Sequence, residues 1–182
     1  MNLTPPQVIE DARFVLGGFD LDPASCYEAQ QIIQAKEYYT LESSGLSEKW
    51  VADTLWLNPP GRSRDKGKHV SAADWGNKLS RCHKDGLVKS SIYLAYRSGS
   101  LGSIGALLKG AARICLTTNL ATSKVISGVG RISYETINSA GRRVSETSNT
   151  QSSALILTTE NQHIISKFDD VFSGYGIVLK GI

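Results

Sequence analysis

An α/β sheet, mostly parallel and with an antiparallel C-terminal edge, is the fold class this sequence predicts. Three observations lead there. Apolar strand-like runs alternate with amphipathic helical segments through the first half of the chain. The run Leu55-Trp56-Leu57 stops at Asn58-Pro59-Pro60, the mark of a buried strand cut short by turn formers. The last third changes character, with strand-like stretches joined by Ser/Thr/Asn/Gly-rich turns. A length of 182 residues suits one domain spanning positions 1–182, large enough for a real core.

The elements follow in order. Thr4 is placed to cap a helix over Gln7 to Leu16, with Pro5 in its first turn and Val8, Ala12, Val15 and Leu16 as its apolar stripe. Gly17-Gly18 ends it. Phe19 to Asp22 alternates like a strand with outward carboxylates and stops at Pro23. A second helix is expected over Ser25 to Ala35, and Trp50 to Leu57 then forms the central strand. Pro59 and Pro60 cannot donate to a ladder, and Asn58, preceding a proline, is pushed toward an extended backbone. Gly61 to Val70 is basic and without hydrophobic periodicity, which reads as a loop. Helices over Ala72 to Cys82 and Leu101 to Leu108 flank a strand at Ser91 to Tyr96. Strands at Ala112 to Leu116, Arg131 to Tyr134, Ala154 to Leu157 and Gly176 to Leu179 complete the pattern, the last three forming hairpins.

Composition removes several classes. With 41% hydrophobic and 20% charged residues the chain is an ordinary globular one. No apolar run approaches the roughly 18 residues of a membrane span, and no secretory signal opens the chain, so a cytoplasmic location is expected. Cys26, Cys82 and Cys115 form neither a disulfide framework nor a ligand-spaced pair, and His69, His83 and His163 lie far apart, so no metal is expected. The net charge of +3 permits a nucleic-acid partner without demanding one.

Polar groups gather at Thr4-Pro5, at Asp20-Leu21-Asp22-Pro23 and at Asn58-Pro59-Pro60. If the strands ending at Asp22 and Leu57 are parallel neighbours, their carboxyl ends open onto one crevice, where open α/β sheets bind ligands. Carboxylates there suit ribose hydroxyls. Gly17-Gly18 precedes its strand instead of following it, so no phosphate-cradling glycine loop exists. The implied cofactor is a nucleoside without a phosphate chain, and S-adenosylmethionine fits that description.

The ordered series Thr4-Pro5-Pro6, Ala12-Arg13, Leu16-Gly17, Asp20-Leu21-Asp22-Pro23-Ala24-Ser25, Ala35, Tyr38-Tyr39-Thr40, Gly45-Leu46, Trp50 and Trp56-Leu57-Asn58-Pro59-Pro60 resembles the phage-type DNA adenine methyltransferases. The likeness is dense over 4–61, with Trp75, Arg113-Ile114 and Arg131-Ile132 as later echoes. It implies a Rossmann-like methyltransferase sheet and transfer of a methyl group from S-adenosylmethionine to the exocyclic amine of adenine in DNA. Asn58 and the Pro59 carbonyl would accept the amine's hydrogens, with Pro60 stiffening the turn. Asp20 or Asp22, beside Pro23, would meet the ribose, while Thr4 and Pro5 hold the amino-acid end. Gly61, Arg62, Arg64, Lys66, Lys68 and Trp75 are the nucleic-acid candidates, because cations beside such a site commonly grip phosphates.

The sequence departs from the family at the position after Pro-Pro, which usually carries an aromatic residue that stacks on the flipped base and is here Gly61. Either another ring substitutes (Trp56, Trp75 or Tyr96), or the acceptor is an amine of RNA, a nucleotide or a protein. A binding protein on an inactive scaffold is the remaining expectation. So short a chain leaves little room for a target-recognition domain, so specificity would rest on loops 61–70 and 138–150 and a homodimer is a reasonable expectation.

Overall fold

The computed structural model describes residues 3–60, 62–65, 68–96, 98–127, 130–145 and 152–181, with backbone alone at 62–65 and 99–100. In chain order its elements begin α1 (Pro6–Leu16), β1 (Leu21–Asp22), α2 (Tyr27–Ile33), β2 (Glu37–Tyr38) and β3 (Ala52–Leu57). They continue with β4 (Arg62–Asp65), β5 (Lys68–Ser71), α3 (Ala72–Lys84), β6 (Val88–Ala95), a 3-10 helix (Ser98–Ile104), α4 (Gly105–Lys109) and β7 (Arg113–Thr117). The remainder is β8 (Glu135–Ile137), β9 (Arg143–Ser145), β10 (Ala154–Thr158), α5 (Gln162–Phe172) and β11 (Gly176–Lys180).

Seven strands form one sheet in the order β11-β7-β10-β6-β3-β1-β2. β2, β1, β3 and β6 run parallel, whereas β10 is antiparallel to both β6 and β7, and β11 is antiparallel to β7. The mostly parallel core with an antiparallel edge is therefore present. Residues alternate between faces along each strand, because the side-chain period is two. Trp56, Ile92, Leu94, Leu155 and Leu157 face the layer built by α1, α2 and α5. Leu55, Leu57, Tyr93, Ala95 and Ile156 face the layer of α3 and α4. β10 is buried along its whole length, as a strand covered on both faces must be. Among the described residues no helix is long and apolar enough to cross a membrane.

Several expectations are corrected. Thr4 does not cap α1: the cap position is Pro5, whose side chain has no acceptor to offer, and the Thr4 hydroxyl, one residue outside it, accepts from Asn58 instead. Gly17, at φ 82°, closes the helix as read. α2 is shorter than Ser25 to Ala35, since Gln34 turns into the left-handed region at φ 49° and ends it. Gly61 to Val70 is not a simple loop: β4 and β5 pair as an antiparallel hairpin, with Arg62 opposite Ser71 and Arg64 opposite His69. The expected helix at Leu101 to Leu108 divides into the 3-10 helix and α4. Arg131 to Tyr134 holds only an isolated bridge, Ile126 to Ile132, and the strand begins at Glu135. The last two sheet strands are joined by α5 instead of by a turn. Ile165, Phe168 and Phe172 form its buried stripe. Asn161 caps it, the side-chain oxygen accepting from the backbone N–H of His163 and Ile164.

Candidate functional site

The sheet changes winding direction between β1 and β3. From β1 the chain crosses through α2 to β2 on one side, and from β3 it passes through α3 to β6 on the other. Divergent connections leave a gap above the carboxyl ends of the two strands, the place where open α/β sheets bind ligands. A cavity of about 840 Å³ opens there, within the usual range for small-molecule sites.

Its head is the end of β3. Asn58 Nδ2 donates to Thr4 Oγ1 at 3.0 Å. That bond fixes the carboxamide and leaves its Oδ1 without a hydrogen-bond partner among the described residues. Pro59, Pro60, Thr4 and Leu3 line the cavity beside it. Thr4 is held in turn: Leu3 exchanges two backbone hydrogen bonds with Glu135, at 2.7 and 2.9 Å. The Thr4 carbonyl accepts from Arg143 Nη2 at 3.0 Å, and Arg143 Nε pairs with Glu135 Oε2 at 2.5 Å. The β8–β9 hairpin thus clasps the segment that positions Asn58.

The floor is Asp22, at the carboxyl end of β1 and 1% exposed. Burial pushes its carboxyl up to about 6, although hydrogen bonds from Ser25, the Ala24 N–H and Gln30 work against the shift. Gln30 Nε2 reaches Asp22 Oδ2 at 2.9 Å and Ser25 Oγ at 2.8 Å. Pro23, Ala24, Ser25, Cys26, Tyr27 and Glu28 continue the wall into the first turn of α2. The opposite wall is the turn at Thr40 to Gly45. Gly45 lies so close to β1 that a Cβ would stand 2.0 Å from the Pro23 carbonyl oxygen. Its own carbonyl accepts from Trp50 Nε1 at 2.8 Å.

The three acids on the lining are Asp22, Glu28 and Glu42, and no Lys, Arg or His joins them among the described lining residues. Such a wall favours a ligand with net positive charge and disfavours phosphates. Sequence reasoning misses Glu28 and Glu42, because nothing local distinguishes them from surface carboxylates. Only the turn at 40–45 folding back onto Pro23 brings Glu42 in.

Of the residues singled out from the sequence, Thr4, Asp22, Pro23, Asn58, Pro59, Pro60 and Trp75 meet at this cavity. Pro5 starts α1 immediately behind Thr4. Asp20 is elsewhere. It sits two residues earlier, just before β1 and roughly 7 Å toward its amino end, and accepts from the Thr54 N–H at 2.9 Å and from Lys36 Nζ at 2.6 Å. Burial raises its carboxyl, but the Lys36 and Thr54 hydrogen bonds outweigh that and hold it below the usual carboxylate value. Arg62 and Arg64 fall on β4 and Lys68 on β5, the hairpin that follows Pro60 in the chain. Gly61 and Lys66 lie outside the described residues. Trp75 is 6% exposed and stacks on Trp50 at 6.0 Å between ring centroids, so it is cavity wall backed by core. Comparison with protein-family models, with curated proteins and with solved structures finds no match for the chain.

Proposed function

We propose that the chain is an S-adenosylmethionine-dependent methyltransferase acting on the exocyclic amine of adenine in DNA. The observation that carries this reading is Asn58: a carboxamide whose nitrogen is occupied by Thr4 and whose oxygen is offered, at a sheet switch point, to a donor in the cavity. An amine with two N–H groups is the ligand such an acceptor suits. The lining fits the cofactor as well, because a sulfonium beside an ammonium and a carboxylate carries net positive charge, and the wall offers carboxyl groups without cations.

When bound, the cofactor would supply an electrophilic methyl group on positively charged sulfur and leave as a neutral thioether that keeps the C–S electron pair, with the proton lost from the methylated amine passing to water. The protein's part is placement. Asn58 Oδ1 and the Pro59 carbonyl accept the two amine hydrogens, which turns the nitrogen lone pair toward the methyl donor and raises its electron density. Asp22 and its hydrogen-bonded neighbours hold the nucleoside portion, and Thr4 fixes the carboxamide. No covalent enzyme intermediate is required; positioning and fixed dipoles provide the acceleration. A base in a duplex must leave the stack to reach Asn58, and the basic residues of the β4–β5 hairpin, next in the chain after Pro60, would hold the surrounding phosphates.

Gly61, where a stacking ring is expected, favours a second reading in which the acceptor is another amine. Both are tested by incubating the protein with labelled S-adenosylmethionine and adenine-containing DNA, RNA or protein, with Asn58→Ala beside wild type. Transfer to DNA that Asn58→Ala abolishes, with cofactor binding intact by calorimetry, supports the first reading. Transfer to RNA or protein alone selects the second. Cofactor binding without transfer to any acceptor sinks both and leaves a binding protein on this scaffold.

A further inference from the structure

Four rings line the cavity: Tyr27, which opens α2 on the Asp22 wall, and Trp56, Trp75 and Tyr96. Trp56 is fully buried and packs against Phe19, and Trp75 is engaged with Trp50. Tyr96 differs. It follows β6 directly, on the strand neighbouring β3, and it is only partly buried.

Behind Tyr96 stands an unusual group. The Arg131 guanidinium lies 4.2 Å from the Tyr96 ring centroid and 5.2 Å from that of Tyr134. Arg131 is 4% exposed, and its Nη1 and Nη2 have no hydrogen-bond partner among the described residues. No carboxylate pairs with it there either. A buried cation is ordinarily neutralised by a partner. Here its field passes instead into the face of an aromatic ring that borders the cavity. A ring already hosting one cation is a poor host for a second, because the two like charges repel across it in a low-dielectric setting. A neutral, flat, electron-rich heterocycle suffers no such repulsion and gains stacking.

Resting on the methyltransferase reading above, we infer that Tyr96, backed by Arg131, is the platform on which the acceptor stacks, and that the acceptor is a neutral nucleobase instead of an ammonium-bearing protein side chain. Tyr96 then fills the role for which Gly61 has no ring. It is a positioning residue: it presents the base plane to Asn58 and takes no proton.

The test separates this inference from the enzyme reading by measuring binding as well as turnover. Fluorescence anisotropy at fixed salt compares single-stranded oligo(dA) with an abasic strand of equal length, for wild type, Tyr96→Phe and Tyr96→Leu. Wild type and Tyr96→Phe are expected to prefer oligo(dA) by about tenfold or more. Tyr96→Leu should lose that preference while binding the abasic strand as wild type does. A preference that survives in Tyr96→Leu overturns the platform. If Tyr96→Leu does not fold, 2-aminopurine placed in the strand gives the answer on wild type and Tyr96→Phe: strong quenching in both is expected, and solvent-like emission overturns the inference. Wild type that methylates a lysine peptide in preference to oligo(dA) overturns the substrate class. Base preference that depends on Tyr96, without methyl transfer to any acceptor, sinks the enzyme reading and leaves the platform standing.

Discussion

Asn58 and Thr4, 54 residues apart in sequence, share a side-chain hydrogen bond of 3.0 Å at the head of the crevice. The bond decides which end of the carboxamide is available to a ligand. Thr4→Val keeps the shape and removes the acceptor, leaving Asn58 Nδ2 half-buried and unpaired. A lost bond of that kind costs about 1–3 kcal/mol. The expected outcome in a methyl-transfer assay is a fall in kcat of roughly tenfold or more with little change in cofactor affinity; unchanged kcat would remove Thr4 from the site.

On the proposed reading, Asp22 makes cofactor binding pH-dependent. Its carboxyl is raised to about 6 by burial, so below that pH it carries a proton and offers no charge to a cationic ligand. Affinity for S-adenosylmethionine, measured by calorimetry from pH 5 to 8, should rise through about 6 and then level off. Stability of the ligand-free protein runs the other way. The folded state holds this proton more tightly than the unfolded chain does, so stability falls as pH rises from about 4 to about 6 and is constant above. Asp22→Asn should flatten both profiles.

Gly45 is held against Pro23 so closely that one methyl group cannot be added. The Cβ of Gly45→Ala would meet the Pro23 carbonyl oxygen at 2.0 Å and the Tyr39 Cβ at 3.2 Å. Both are inflexible neighbours, so the turn at 40–45 must move outward, at a cost typical of overpacking, about 1–3 kcal/mol. Thermal melting should show the loss, and cofactor affinity should drop with it because the same turn is a wall of the crevice.

Arg143 reaches from β9 to the Thr4 carbonyl and to Glu135. Arg143→Met should therefore loosen residues 3–5 without unfolding the sheet. Hydrogen exchange is the direct measurement, with faster exchange at Leu3, whose N–H bonds to Glu135. Unaltered exchange there would show that the two backbone bonds suffice.

The charges of the β4–β5 hairpin should appear as salt dependence. If the hairpin holds phosphates, replacing Arg64 by Ala weakens DNA binding evenly across sequences and lowers the slope of log K against log salt by about one. A slope equal to wild type would place the hairpin outside the interface.

Much of this is legible in the sequence where local chemistry decides the outcome. Gly17 closing α1, Pro59-Pro60 ending β3 and the apolar run of β10 follow from rules that act over a few residues. Thr4 misleads because a hydroxyl before a helix is usually a cap, and only the folded chain reveals a carboxamide 54 positions away competing for it. α5 is readable in principle from Asn161 and the spacing of Ile165, Phe168 and Phe172, but polar turn residues around it mask the period. Asp20 and Asp22 look equivalent in sequence; the register Leu21 to Leu55 separates them, setting one beside Thr54 and the other at the open end. Arg131 carries no sequence signal for its place beside the cavity, since its meaning depends on which rings it lies against.

The clasp on Thr4 has a consequence for biosynthesis. Asn58 and Asp22 leave the ribosome early, but the arginine that grips the Thr4 carbonyl comes 139 residues after it. A nascent chain can build the parallel strands β1, β2, β3 and β6 first, while the antiparallel β10 must still be inserted between β6 and β7. Until then Asn58 stands beside an N-terminal segment that lacks its clasp, and at translation rates of about 5–20 residues per second that interval lasts several seconds. The crevice is thereby left unfinished on the growing polypeptide, and it is completed only once the late hairpin has closed over the first residues made.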